Sequence, residues 1–171
     1  MIRVFVAIDL PKELKKELRK LKIDIPDSRI NWVDDFHLTL KFIGYIEKND
    51  LKSIKEKLSR VKFKPFKLSF TDVGYFPTEK SPRVIWVGVE PHEEVIELQE
   101  KVDDKLTKYK DDYKFHPHIT LARIKSIKDK SFLKKIKFVK GGFRIKSFKL
   151  IQSKLIKKET EYIELFSFDS Q

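Results

Sequence analysis

The sequence predicts an α+β chain built as two similar lobes around a central groove. Three observations point there. Strand-like and helix-like segments mix along 171 residues, about the length of one domain, and 40% of them are apolar, enough for a real core. A strand, helix, strand order occurs twice, opening with RVFVAI at Arg3 and with RVIWVGV at Arg83. Each half then reaches the same quartet, His-apolar-Thr-Leu, at His37–Leu40 and at His118–Leu121. We read a single domain over residues 1–171 containing a pseudo-repeat of roughly 2–43 and 82–124, so that equivalent positions of the halves meet across the groove.

The elements follow in order. Ile2 to Ile8 is rich in β-branched residues and reads as a buried strand. Pro11 suits a first helical turn, Leu14, Leu18 and Leu21 keep helical spacing, and Pro26 lies beyond the helix end. Trp32-Val33 and His37 to Ile43 read as strand. Asn49 is a candidate cap for a helix through Leu51, Ile54 and Leu58. Phe66 to Phe70 alternates as a strand, a loop with Gly74, Pro77 and Pro82 follows, and Arg83 to Val89 is a strong strand. Glu93 to Tyr109 carries a helical stripe of Val95, Ile96, Leu98, Val102 and Leu106. After the second quartet and the lysine-rich stretch Lys125–Lys140, Gly141-Gly142 opens strands at Phe143–Phe148, Lys149–Ile156 and Tyr162–Phe168.

Composition narrows the chemistry. The chain has no cysteine, which excludes disulfides, thiolate nucleophiles and zinc-thiolate sites. It shows no membrane span and no secretory signal, and a cytoplasmic protein is the expectation. Thirty-eight Lys+Arg against 26 Asp+Glu leave +12, which fits a polyanionic partner such as nucleic acid. The same lysine-rich, Asn- and Gln-poor surface also fits adaptation to heat. No protein partner is evident, and a monomer is expected.

Side chains alternate along a strand, so His37 and Thr39 share a face while Leu38 and Leu40 take the other; His118 and Thr120 repeat the arrangement. The apolar faces supply core, and the His-Thr faces must meet something polar. Two imidazoles converging on one point suit acid-base chemistry near neutrality. A neutral ring takes a proton from attacking water while an imidazolium protonates the departing oxygen, as in-line displacement at phosphorus requires, and threonine hydroxyls steady the phosphate oxygens. A metal site would need a third ligand; His116 is the only local one and no carboxylate recurs in the repeat, so neither metal nor cofactor is expected. No nucleophile elbow or phosphate-binding glycine loop is present.

The paired H-Φ-T-Φ motifs, with RVFVAIDLP, INWVDDFHLTLKFIG, GYFPTEKSPRVIWVGV and FHPHITLAR around them, resemble the 2H phosphoesterase superfamily, in its RNA 2′,3′-cyclic phosphodiesterase (2′-5′ RNA ligase-like) branch. The resemblance spans nearly the whole chain. It implies a bilobal α+β fold, each lobe an antiparallel sheet backed by helices, with the active site in the cleft between them. It implies hydrolysis of an RNA terminal 2′,3′-cyclic phosphate to a 2′-phosphomonoester, with reversible 2′-5′ ligation. His37 would be proton donor and His118 proton acceptor, roles that the near-symmetry of the halves leaves open. Thr39, Thr120 and Arg123 would bind phosphate, although strict alternation turns Arg123 away from His118. Lys41, on the His37 face by alternation, and Phe76, in the proline-bearing loop, are candidates for the substrate groove. Two other readings stand beside this one: a non-catalytic RNA-binding module of the same fold, and a phosphodiesterase acting on a small cyclic nucleotide.

Overall fold

The computed structural model describes residues 1–110, 112–137 and 139–171; Phe138, inside the basic stretch, lies outside them. The elements run β1 (Ile2–Asp9), α1 (Lys12–Arg19), β2 (Ser28–Trp32), β3 (His37–Ile46), α2 (Asp50–Leu58), β4 (Phe66–Pro77), β5 (Pro82–Glu90) and α3 (His92–Lys105). There follow β6 (His118–Ile127), a 3-10 turn (Lys130–Lys135), β7 (Gly142–Ile145), β8 (Ser147–Ile156) and β9 (Glu159–Asp169). They form two antiparallel sheets, β3-β1-β8-β9 and β2-β6-β5-β4-β7. Each sheet holds one His-Thr strand beside the strand that opens its half, β3 beside β1 and β6 beside β5.

The apolar faces do what alternation demands. Leu38 and Leu40 of β3 join Ile119 and Leu121 of β6 in one buried cluster, together with Val6, Ile8, Val87 and Val89 of the neighbouring strands. Leu18 of α1, Ile54 and Leu58 of α2, and Val95, Leu98 and Val102 of α3 plug into the same core. The lobes therefore share one interior, and β3 and β6 pack against each other where the sheets meet. Burying a Leu or Ile side chain stabilises by about 1.5–3 kcal/mol, so these two strands are fixed by their backs and offer their polar fronts.

Several local expectations are corrected. The strand at Trp32 begins earlier, at Ser28, and belongs to the second sheet, paired with β6. Asn49 occupies the cap position of α2 but is itself helical and its side chain caps nothing. The third helix stops at Lys105, where Leu106 leaves helical geometry, although Leu106 is still buried. The loop expected around Gly74 is strand: β4 continues to Pro77 along β5 after a bulge between Phe70 and Val73. A Cβ at Gly74 would come within 2.2 Å of the Trp86 ring, so glycine is what lets that indole lie across the strand. The stretch Phe143–Phe148 is two strands, because the chain breaks after Ile145 and passes from the second sheet (β7) to the first (β8).

Candidate active site

Both His-Thr strands break their alternation at the same place. Along β1 and β3 the pairs run Val6 with Lys41 and then Ala7 with Thr39, skipping Leu40. Along β5 and β6 they run Ile85 with Ala122 and then Trp86 with Thr120, skipping Leu121. A one-residue bulge moves every following side chain to the opposite face. His37, Thr39 and Phe42 therefore share the groove face of β3, and Phe42 packs on Phe5. Lys41 is thrown into the core: it is 2% exposed, and its ammonium pairs with Asp103 on α3. Its expected place in the substrate groove is corrected accordingly. In β6 the same bulge has the opposite outcome for Arg123, which joins the face of His118 and Thr120. Its charge acts on both His118 and Tyr162, and Tyr162 in turn lies edge-on to His37 at 5.0 Å. Thr39 and Thr120 are half-buried on these faces.

The two histidines have different surroundings. His37 lies with Nε2 3.7 Å from Asp9 and 3.7 Å from Asp35, and its ring meets Phe5 at 5.7 Å. Asp9 is directly opposite His37 in the β1–β3 register. Lys15 of α1 binds both carboxylates, 2.6 Å from Asp9 and 2.5 Å from Asp35, and Lys149 of β8 adds contacts to Asp9 and Glu164. Burial alone would push Asp9 up, but the hydrogen bond and charge of Lys15, with His37 and Lys149, hold it below the usual carboxylate range. Burial likewise works against Lys15, yet its two carboxylates keep it above the ordinary lysine value. For His37, burial pushes the ring below 6.5; Asp35 and Asp9 pull upward, and Lys15 and Lys149 oppose them. Asp9, Asp35 and His37 could offer three ligand atoms within 4.8 Å of one another, but the Lys15 ammonium already stands as the cation between the two carboxylates.

Among the described residues, no carboxylate pairs with His118. Gly88 holds the register position that Asp9 holds in the first sheet, and a Cβ there would lie 2.3 Å from the Thr71 hydroxyl. The His118 Nδ1 is 2.6 Å from the His116 carbonyl. A carbonyl only accepts, so Nδ1 carries the hydrogen and Nε2 of the neutral ring is left with a free lone pair. Phe76 meets His118 edge-on at 5.0 Å and lies on Trp86 at 4.9 Å, so this groove-candidate aromatic is at the site. Burial lowers His118 below 6.5; the hydrogen bond to His116 opposes this, and the His116 and Arg123 charges reinforce it.

Sequence reasoning missed Asp9, Asp35, Lys15, Trp86 and Tyr162. Asp9 had a usable signal, since pairing the first strand with the His37 strand sets the two residues face to face. Tyr162 had none, coming from a hairpin far along the chain.

The profile of the family described as LigT like Phosphoesterase matches this chain twice, over residues 8–86 and 87–162. The RNA 2′,3′-cyclic phosphodiesterase of Archaeoglobus fulgidus is 33% identical over 98% of this chain and 100% of its own length. The crystal structure of TT0787 from Thermus thermophilus is similar at a TM-score of 0.80 and 28% identity, over 98% of this chain and 97% of that one. E. coli LigT complexed with 3′-AMP is similar at a TM-score of 0.78 and 25% identity, covering 99% and 98% of the two chains.

Proposed function

This chain belongs to the LigT-like phosphoesterase family, and on that premise we propose that it hydrolyses the 2′,3′-cyclic phosphate at an RNA end to a 2′-phosphomonoester, by two-histidine acid-base catalysis without a metal. The observation that carries the reading is the matched pair of bulged His-Thr strands. One comes from each sheet, the two pack together, and the charge of Arg123 is felt by both His118 and Tyr162, which lies against His37. The family profile falls once on each His-Thr half, which also supports reading the chain as a duplication of related lobes.

In the reaction His118, held by the His116 carbonyl, takes a proton from water at its free Nε2. The water oxygen attacks phosphorus, the bond from phosphorus to the 3′-oxygen breaks, and His37 as imidazolium gives that oxygen its proton. Exchange with solvent restores both rings. The carboxylates of Asp9 and Asp35 favour the charged form of His37, whereas His118 has no such carboxylate beside it and the Arg123 charge favours its neutral form, which supports donor and acceptor in that order. Thr39, Thr120 and Arg123 hold the phosphate oxygens, Arg123 through charge-assisted hydrogen bonds. The lysine surplus draws the polyanion in. A 5′-hydroxyl in place of water gives the 2′-5′ linkage. We place the protein in the cytoplasm as a monomer; among the described residues no helix is long and apolar enough to cross a membrane.

Incubation of an oligonucleotide ending in a 2′,3′-cyclic phosphate with the protein, in excess chelator, tests this. A 2′-phosphate product is expected. A 3′-phosphate product would reverse the leaving group, and activity abolished by chelator and restored by metal would replace the two-histidine scheme.

A further inference from the structure

The face of the first sheet that carries His37 continues well beyond the phosphate site. The registers set its side chains in rows: His37 with Asp9; Thr39 with Ala7 and Lys149; Phe42 with Phe5 and Ile151; then Tyr45 with Arg3, Ser153 and Tyr162. Near the histidine the rows are sealed, with Phe5, Ala7 and Ile151 buried beneath Tyr162. Farther out they open, Phe42 being 54% and Tyr45 70% exposed. Arg3, in the outermost row, is exposed and its charge reaches Tyr162. From Asp9 to Arg3 along β1 is about 20 Å at about 3.3 Å per residue, the reach of a few nucleotides.

Resting on the reaction proposed above, we propose that this row of aromatics with Arg3 is the docking track for the single-stranded RNA that precedes the cyclic phosphate. Exposed aromatic faces on a sheet, beside an arginine, are what unpaired bases stack on, and stacking needs no particular base. Contiguous exposed apolar surface rimmed by charge marks a binding face. The track begins at the phosphate site, so the strand and its terminal phosphate occupy one continuous surface. A second copy of the chain is the rival occupant, and a formal charge of +12 works against like meeting like while favouring a polyanion. In the second sheet the matching position after the bulge is Arg123 in place of Phe42.

The test measures fluorescence anisotropy with labelled RNAs that end in a 2′-phosphate, as mononucleotide, dinucleotide, tetranucleotide and octanucleotide. Affinity is expected to rise with length up to about the tetranucleotide and then level off. Tyr45→Ala should weaken tetranucleotide binding roughly 5- to 100-fold, the loss of one stacked base, and leave mononucleotide binding unchanged. Affinity independent of length, or an unchanged tetranucleotide affinity in Tyr45→Ala, overturns the track. So does sedimentation as a dimer that Tyr45→Ala dissociates. Length-dependent binding without any hydrolysis supports the track and removes the chemistry; hydrolysis without length dependence does the reverse.

Discussion

His37 and His118 occupy equivalent places on strands with the same bulge, and both meet aromatic rings, yet only His37 sits in an ionic cage. The difference traces to single register positions. Opposite His37 stands Asp9, which binds Lys15 and Lys149 and with Asp35 surrounds the ring with charge. Opposite His118 stands Gly88, and the space around the ring goes to Phe76, Trp86 and His116. A shared backbone thus presents two imidazoles alike, while the neighbours give them different electrostatic surroundings.

The sharpest way to break the comparison is to remove each ring in turn. His37→Ala and His118→Ala should each lower kcat by about 10²–10⁴, with unchanged circular dichroism. Near-normal turnover in either variant would leave one histidine without a role. Next in size is Arg123, whose counterpart at the other bulge is Phe42. Arg123→Gln should raise KM for a cyclic mononucleotide about 10- to 100-fold, the loss of one charge-assisted contact, and Arg123→Lys should recover only part of it. A kcat effect with unaltered KM would move Arg123 from binding to the chemical step.

A smaller effect concerns pH. The proposed reaction uses His37 charged and His118 neutral, and burial lowers both rings below 6.5. The kcat/KM profile should therefore be bell-shaped with its maximum below pH 6.5, falling on the alkaline side as His37 loses its proton and on the acid side as His118 gains one. Asp35→Asn removes a carboxylate that raises His37, so the alkaline limb should move to lower pH while the acid limb stays. Movement of the acid limb instead would exchange donor and acceptor. The smallest effect belongs to Lys41→Met, which should leave kcat/KM unaltered and shift urea-unfolding stability by about 1 kcal/mol or less. Asp103 is half exposed and rehydrates when its buried partner is lost.

The quartets were readable because a period of two is visible in four residues, and the shared core behind Leu38, Leu40, Ile119 and Leu121 follows from it directly. The bulges were not. Skipping Leu40 and Leu121 leaves no mark in the local sequence, and this is why Lys41 was aimed at the groove and Arg123 away from it. Trp86 reads as an ordinary strand aromatic until Gly74 is seen to make room for it on the adjacent strand. Asp35 and Lys15 arrive from a loop and a helix whose packing angles no periodicity encodes. The passage from β7 to β8 left only a slip of phase in the sequence: Lys146 and Ser147 are both polar, and there the alternation of Phe143 and Ile145 gives way to that of Phe148 and Leu150 as the chain changes sheets.

The sheet holding His37 is assembled from the two ends of the sequence order, β1 and β3 early, β8 and β9 late, whereas β4 to β7 follow one another in its partner. During synthesis the His118 half can therefore close on itself first, and His37 waits on an incomplete surface until β9 brings Tyr162 over it. A nascent chain halted before that strand carries both histidines, yet the surface around His37 is still without Tyr162.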